Sequence, residues 1–332
     1  VKWLIPACIL LVSVIAVDLR VALWGFYVYE HIQTEKIILK RLEQVSQQPL
    51  SDIDFEQVSS LARQSTDNLE GLKAQLEPTY PIFDVISYAP AIGEYAGQIA
   101  ISVDFGLAAS RLGESLASSA SPFSRVLFGP SSNQQPKQEL LYKAYKDAQP
   151  YLEQSEIDLQ EVMKIRSRLR NELLFPEYTP EFDLLDQSLA LLKDNLTYMR
   201  YIPYLLGGDQ PTNYLIMVQN HDELRASGGF ITSFGLLRMD QGKISIMSFE
   251  DSTSLNYVDK ALIPPEPIHQ IMMASYWVPR DGNWSPDFPT TARQVQSLYY
   301  SSTGYPTDVV IAFDQTFLIE LLKVLGPTEL AS

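Results

Sequence analysis

Asn213 to Phe249 reads NYLIMVQNHDELRASGGFITSFGLLRMDQGKISIMSF. Three apolar runs of strand length stand in it, Asn213 to Val218, Phe230 to Met239 and Ile244 to Phe249. Asp240-Gln241-Gly242-Lys243 is a compact polar turn with Gly where a positive φ is needed, so the second and third runs are expected to pair as a hairpin. The runs read apolar throughout, without alternation, as in strands covered on both faces. After a Pro-rich loop, Thr290 to Tyr300 reads as a helix, Asp308 to Asp314 as a strand, and Gln315 to Leu325 as a helix closed by Gly326-Pro327. Strands mixed with helices in this order predict a layered α/β domain with a mixed sheet, opening near Leu205-Leu206-Gly207-Gly208-Asp209.

Upstream the grammar is helical. Ile37, Ile38, Leu42 and Val45, then Val58, Leu61, Leu69, Leu72 and Leu76, recur at the three- and four-residue spacing of one apolar helix face. Pro49, and Pro78 to Pro81, punctuate the helices. Ile99 to Leu116 is rich in Ala, Gly and Ser, which suits close helix packing. Ser118 to Pro136 is expected to be a loop, with helices resuming over Lys137 to Glu172 and Asp183 to Met199. Arg166, Arg168 and Arg170 do not share one helix face, so a solvated surface is expected there in place of an anion grip.

The start of the chain bears on compartment. Trp3 to Val17 is unbroken apolar sequence, and Leu19 to Tyr29 continues it with Trp24, Phe26, Tyr27 and Tyr29 at the far end. A bilayer core of about 30 Å needs about 20 helical residues, with aromatics at the headgroup belt. Asp18 opposes insertion by roughly 2.5–3.5 kcal/mol, against about 0.3–0.6 kcal/mol returned by each Leu, Ile or Val, so a dozen apolar residues outweigh it. A cleaved signal peptide or a buried core helix are the alternatives, and no small-x-small cleavage site follows the run. Lys36, Lys40 and Arg41 after the run, against Lys2 before it, lean against an outside location for the bulk of the chain.

Composition excludes several classes. A charge of −15 over 332 residues argues against a nucleic-acid surface. The single Cys8 and three histidines leave no disulfide framework and no thiolate or His-rich metal site, so any bound cation must be held by oxygen. The sequons at Asn195 and Asn283 carry no weight, because a three-residue pattern recurs by chance.

Three polar clusters interrupt the α/β domain, each with a structural alternative. Asn220, Asp222, Glu223 and Arg225 lie between the first two strands: an Arg poised for phosphate, or an Arg–Glu pair tying down a loop. Glu250-Asp251-Ser252-Thr253 ends the third strand, where carboxylates hold a divalent cation or cap the next segment. Arg280 to Pro289, RDGNWSPDFP, is ordinary loop chemistry apart from a Trp and a Phe set among charges.

The motifs QNHDELRASGGFI, DQGKI, NWSPDFP and DVVIAFDQTFLIELLKVLGP together resemble a bacterial envelope family, domain of unknown function four-zero-one-two, over Leu205 to Pro327. The resemblance implies an N-terminal anchor in the cytoplasmic membrane, a single pass, and the bulk of the chain outside. More distantly, the order of strand, Arg motif, hairpin, acidic motif and late strand–helix looks like the LytR-CpsA-Psr family, which transfers glycopolymers from a polyprenyl pyrophosphate using arginines and magnesium. Against that pattern Arg225 keeps an Arg while Ser227 stands for an Asp, Asp251 keeps an Asp while Glu250 stands for an Arg, and Asn220 stands where an Asp ends the first strand. An Arg exchanged for an acid reverses the charge that faces a pyrophosphate.

The predicted organisation is therefore α+β: a transmembrane anchor over 1–30, an extended helical region over 31–204, and a layered α/β domain over 205–332, incomplete at its C-terminal end. Two functions are compatible with it. One is a non-catalytic relative, a tethered scaffold or glycan-binding module using Asn220, Glu223, Tyr276, Trp277 and Trp284. The other is a phosphotransferase or pyrophosphatase on polyprenyl-linked glycans, with Arg225, Asp251 and Arg280 catalytic and Asp251, Asp281 and Asp287 holding Mg. The expected partners are the lipid bilayer and a cell-wall glycan or its polyprenyl-linked precursor, with no nucleic acid.

Overall fold

A computed structural model describes residues 4–81, 93–129, 136–170, 179–255, 262–271 and 273–326, with the side chains of residues 4–24, 93–97 and 325 outside the description. The chain divides into two units, Val1–Asn133 with Lys143–Arg200, and Gln134–Tyr142 with Tyr201–Ser332.

The first unit is helical: α1 Leu4–Ser46, α2 Phe55–Leu76, α3 Gly93–Phe128, α4 Lys137–Arg166, whose first residues belong to the second unit, and α5 Thr179–Met199. Most of the expected bilayer-crossing run falls on side chains outside the described residues. Among the described residues no helix is long and apolar enough to cross a membrane. Pro49 marks the break after α1, and Asp54 caps α2 by accepting from the backbone N–H groups of Glu56 and Gln57.

Small and polar residues hold α2 to its neighbours. Ser59 meets Ser118 at 2.8 Å and Ser65 meets Ser110 at 2.7 Å, while Gly113 lies against Ala62 and Gly106 against Leu69. Asn68 donates to the His31 carbonyl and to Glu35, both at 2.9 Å, which ties α1 to α2. The Ala, Gly and Ser content of Ile99 to Leu116 thus does what its reading requires. A second core gathers Ala108 and Leu112 of α3, Leu159, Val162 and Ile165 of α4, and Leu189 and Leu196 of α5.

The loop expected from Ser118 is instead helix as far as Phe128, with Pro122 inside it. The serines that suggested a loop are satisfied within or across the helix: Ser119 donates to the Leu116 carbonyl, Ser124 to that of Ser121, and Ser118 pairs with Ser59. Packing outweighs local propensity here. Residues 130–135 of that expected loop lie outside the described residues.

The second unit is built on a four-stranded sheet of order β3-β2-β1-β4, where β1 is Thr212–Arg225, β2 Gly228–Asp240, β3 Lys243–Asp251 and β4 Val309–Asp314. β1/β2 and β2/β3 are antiparallel and β1/β4 is parallel, so the sheet is mixed as expected. Helices of this unit are α6 Ile202–Leu205, α7 Glu266–Ile271, α8 Phe288–Thr303 and α9 Gln315–Leu325. The Asp240–Lys243 hairpin forms, with Gln241 at φ 50° and Gly242 at φ 80°, the two positive values that such a turn needs. Its tip is held by bonds from the Gln241 and Gly242 N–H groups to the carbonyls of Gly207 and Leu206.

The core of this unit joins Leu215, Met217, Ile231, Phe234 and Leu236 of the sheet to Leu255 and to Val295 and Tyr299 of α8. Ile231 and Phe234 are three residues apart yet share one face, because the register slips by one residue at Thr232. That bulge, with another in β3 between its pairings to Leu236 and Leu237, hides the period of two. The expectation of two covered faces is corrected: Ile244 (44% exposed), Ile246 (75%) and Phe249 (65%) lie open on the face opposite the core. Antiparallel sheets accept one uncovered face, and the sequence shows apolar residues on it all the same.

Candidate functional site

The polar cluster Asn220 to Arg225 does not follow the first strand. It lies within it: β1 runs through to Arg225 and turns back at Ala226-Ser227. Asn220 pairs with Phe230 and Leu224 with Gly229, so His221, Asp222 and Glu223 form an unpaired arc pushed out of the ladder. Gly229 makes that arc possible, since a Cβ there would sit 2.0 Å from the Asn220 carbonyl oxygen.

Arg225, with a side chain 12% exposed, turns back over the sheet. It donates to Glu223 at 2.6 Å, approaches Asp281 at 3.4 Å, and stacks 5.4 Å from the centre of the Phe230 ring. Arg280 and Asp281 sit in the short 3-10 turn Pro279–Asp281, where Arg280 Nε lies 3.9 Å from Asp281 Oδ2. Asp281 is buried between the two guanidinium groups. Burial pushes its carboxyl above the usual range, and Arg225 and Arg280 pull it back.

Asp251, at the end of β3, accepts from both the N–H and the hydroxyl of Thr253 at 2.7 and 2.5 Å. Those bonds hold its carboxyl below the usual range, with the Arg280 charge adding to them. Arg280 thus lies in the field of both Asp251 and Asp281, and Arg225, Glu223, Arg280, Asp281 and Asp251 form one charged neighbourhood. It holds three carboxylates and two guanidinium groups.

The other predicted residues take separate places. Asn220 accepts from the Asp222 N–H. Asp287 caps α8, accepting from the Thr290 N–H and hydroxyl, which lower its carboxyl. The Trp277 indole donates to the Asp281 carbonyl at 3.0 Å and flanks a 240 Å³ hollow with Leu262, Arg293 and Gln294. Tyr276 and Trp284 stay open, at 49% and 39% exposure.

The donor set does not fit the expected Mg. Asp251 is engaged by Thr253, Asp281 by two arginines and Asp287 by the start of α8, and among the described residues no group of three His, Cys, Asp or Glu is placed to hold a metal ion. Mg demands near-octahedral oxygen geometry, and three carboxylates with other duties do not supply it.

Two features escaped the sequence reading. Asn283, discounted as a sequon, is 1% exposed and donates to the Gly229 carbonyl at 2.7 Å, so it fastens the RDGNW loop to the hairpin. Beside it runs a chain of bonds from Gln219 to the Ser227 carbonyl, Ser227 to the Thr291 hydroxyl, and Thr291 to the Ser285 carbonyl. Asn between Gly and Trp in a polar loop was the available signal. His221 lies 3.6 Å from Asp314 and 3.5 Å from the Thr316 hydroxyl, which joins the arc to the start of α9.

Residues 209–332 match a protein family described as a protein of unknown function (DUF4012). This segment lies within the sheet unit and holds every residue of the charged neighbourhood. No curated protein matches the chain, and no solved structure does.

Proposed function

We propose that the chain is a membrane-tethered envelope protein whose sheet unit is a diverged, non-catalytic relative of the LytR-CpsA-Psr transferases, working as a scaffold or glycan-binding module. In this reading residues 1–30 anchor it in the cytoplasmic membrane by a single pass and the bulk lies outside. The observation that carries the non-catalytic reading is Asp281 buried between Arg225 and Arg280. A pyrophosphate needs those guanidinium groups to face it. Here a buried carboxylate faces them first, and Glu223 takes a further donor of Arg225. Three acids against two arginines repel a polyanion in a partly dry site, where charge acts most strongly. Exposed Trp284 and Tyr276 supply the aromatic surface that a glycan or protein partner needs. The grouping of Arg225, Arg280 and Asp251 in one place favours the alternative, a phosphotransferase or pyrophosphatase on polyprenyl-linked glycans.

The test is titration of the full chain in detergent with a short-chain polyprenyl pyrophosphate, with and without magnesium, beside Arg225→Ala and Arg280→Ala variants whose fold is checked by circular dichroism. The expected result is no magnesium-dependent binding and no difference between the proteins. Magnesium-dependent binding that both variants abolish would overturn the scaffold reading and establish the enzyme.

A further inference from the structure

The helical unit contains a cavity of 460 Å³ where α2, α3 and α4 meet. Its size falls in the range of about 300–1,000 Å³ used for small ligands. Phe55 and Tyr151 give it aromatic surface, and the hydroxyls of Ser59, Ser60, Ser118 and Ser121 give it short polar groups. Four charged side chains also line it. Arg63 is committed to Glu114 at 2.7 Å. The other three, Glu56, Asp147 and Arg125, make no ion pair among the described residues. A further cavity of this unit, 350 Å³ between α4 and α5, is lined by Glu153, Glu156 and Arg200, and there the one cation is bonded to Glu156.

We propose that the α2–α3–α4 cavity is a saccharide site that holds one or two residues of a neutral glycan. The C–H face of a pyranose is apolar and packs on an aromatic ring, the part that the half-exposed Tyr151 and Phe55 play. Its hydroxyls are paired donors and acceptors. Carboxylates accept two at a time and a guanidinium donates two at a time, which matches Glu56, Asp147 and Arg125. The serine hydroxyls keep lone pairs to accept with, beyond the bonds of Ser59 to Ser118 and Ser121 to Glu56. Two acids beside one cation, none in an ion pair among the described residues, disfavour phosphate and carboxylate ligands and leave a neutral polyol as the fitting class. The site is lined by residues of the helical unit alone and does not depend on how the sheet unit is read.

The full chain, in a detergent without a sugar headgroup, is titrated calorimetrically and by ligand-observed NMR with cellotetraose, maltotetraose and chitotetraose, and with inorganic pyrophosphate as the anionic rival. Tyr151→Ala and Asp147→Asn change exposed side chains, so the fold is retained. At least one tetrasaccharide binds, Tyr151→Ala weakens it about tenfold, and Asp147→Asn weakens it too. Binding that survives Tyr151→Ala and Asp147→Asn but is lost in Trp284→Ala overturns the proposal and moves glycan recognition to the sheet unit. So does pyrophosphate binding lost in Arg125→Ala, or the absence of binding by every tetrasaccharide.

Discussion

Replacing Gly229 with Ala separates a steric demand from a conformational one. Gly229 has no positive φ, so its backbone suits any residue; what it lacks is room. A Cβ there would stand 2.0 Å from the Asn220 oxygen, 2.2 Å from its carbonyl carbon and 2.6 Å from the His221 nitrogen. All three are backbone atoms and cannot rotate aside. Relief requires opening the ladder where Asn220 pairs with Phe230, and shifting the carbonyl that Asn283 holds at 2.7 Å. Overpacking costs about 1–3 kcal/mol, and one or two buried hydrogen bonds add about 1 kcal/mol each. The sum, about 2–5 kcal/mol, lowers the unfolding midpoint by roughly 6–15 °C at about 3 °C per kcal/mol for a domain of this size. Gly304 is the control: it sits at φ 76° with nothing within 4 Å, so Ala there costs only left-handed strain, about 1 kcal/mol. Thermal unfolding followed by the emission of Trp277 and Trp284 measures both. A Gly229→Ala midpoint equal to that of Gly304→Ala would refute the close approach of the two strands, and with it the bulged arc of His221 to Glu223.

Two further outcomes follow from the site and the sheet. Burial raises the Asp281 carboxyl, so the stability from this group is full below the ordinary carboxyl range and is lost as pH rises through the raised value. Asp281→Asn, which does not ionise, therefore gains on the wild type as pH rises from about 3 to 7, read as the difference in melting temperature; the opposite slope would mean that Arg225 and Arg280 outweigh desolvation. Ile246→Lys, on the open sheet face, changes stability by less than about 0.5 kcal/mol in urea unfolding, and a loss of several times that would show the face to be covered in solution.

Much of the sheet unit is legible in residue order because its signals are local. A polar tetrad with Gly at the third position makes the Asp240–Lys243 turn, and the α9 span matches its sequence expectation because Asp314 caps it and Gly326 ends it. The charged residues Arg225, Arg280, Asp281 and Asp251 are legible as candidates for the same reason, being polar groups among apolar runs. Their roles are not, since no local rule says that the Asp281 carboxylate lies between two arginines from different segments or that Asp287 spends its oxygens on α8. Local propensity also misleads where packing competes with it, as in the serine-rich stretch that α3 carries through Pro122 against α2.

Composition, periodicity and turn chemistry decide, through nearest-neighbour physics alone, that this chain has helices first and a mixed sheet after, and that it is acidic. The slip at Thr232, the arc of His221 to Glu223, the anchoring of Gly229 by Asn283 and the neutralisation of Arg225 by a buried acid depend on contacts between residues far apart in the chain. Those contacts are set by strand register and by the cost of burying charge, two quantities that exist once the chain has closed on itself.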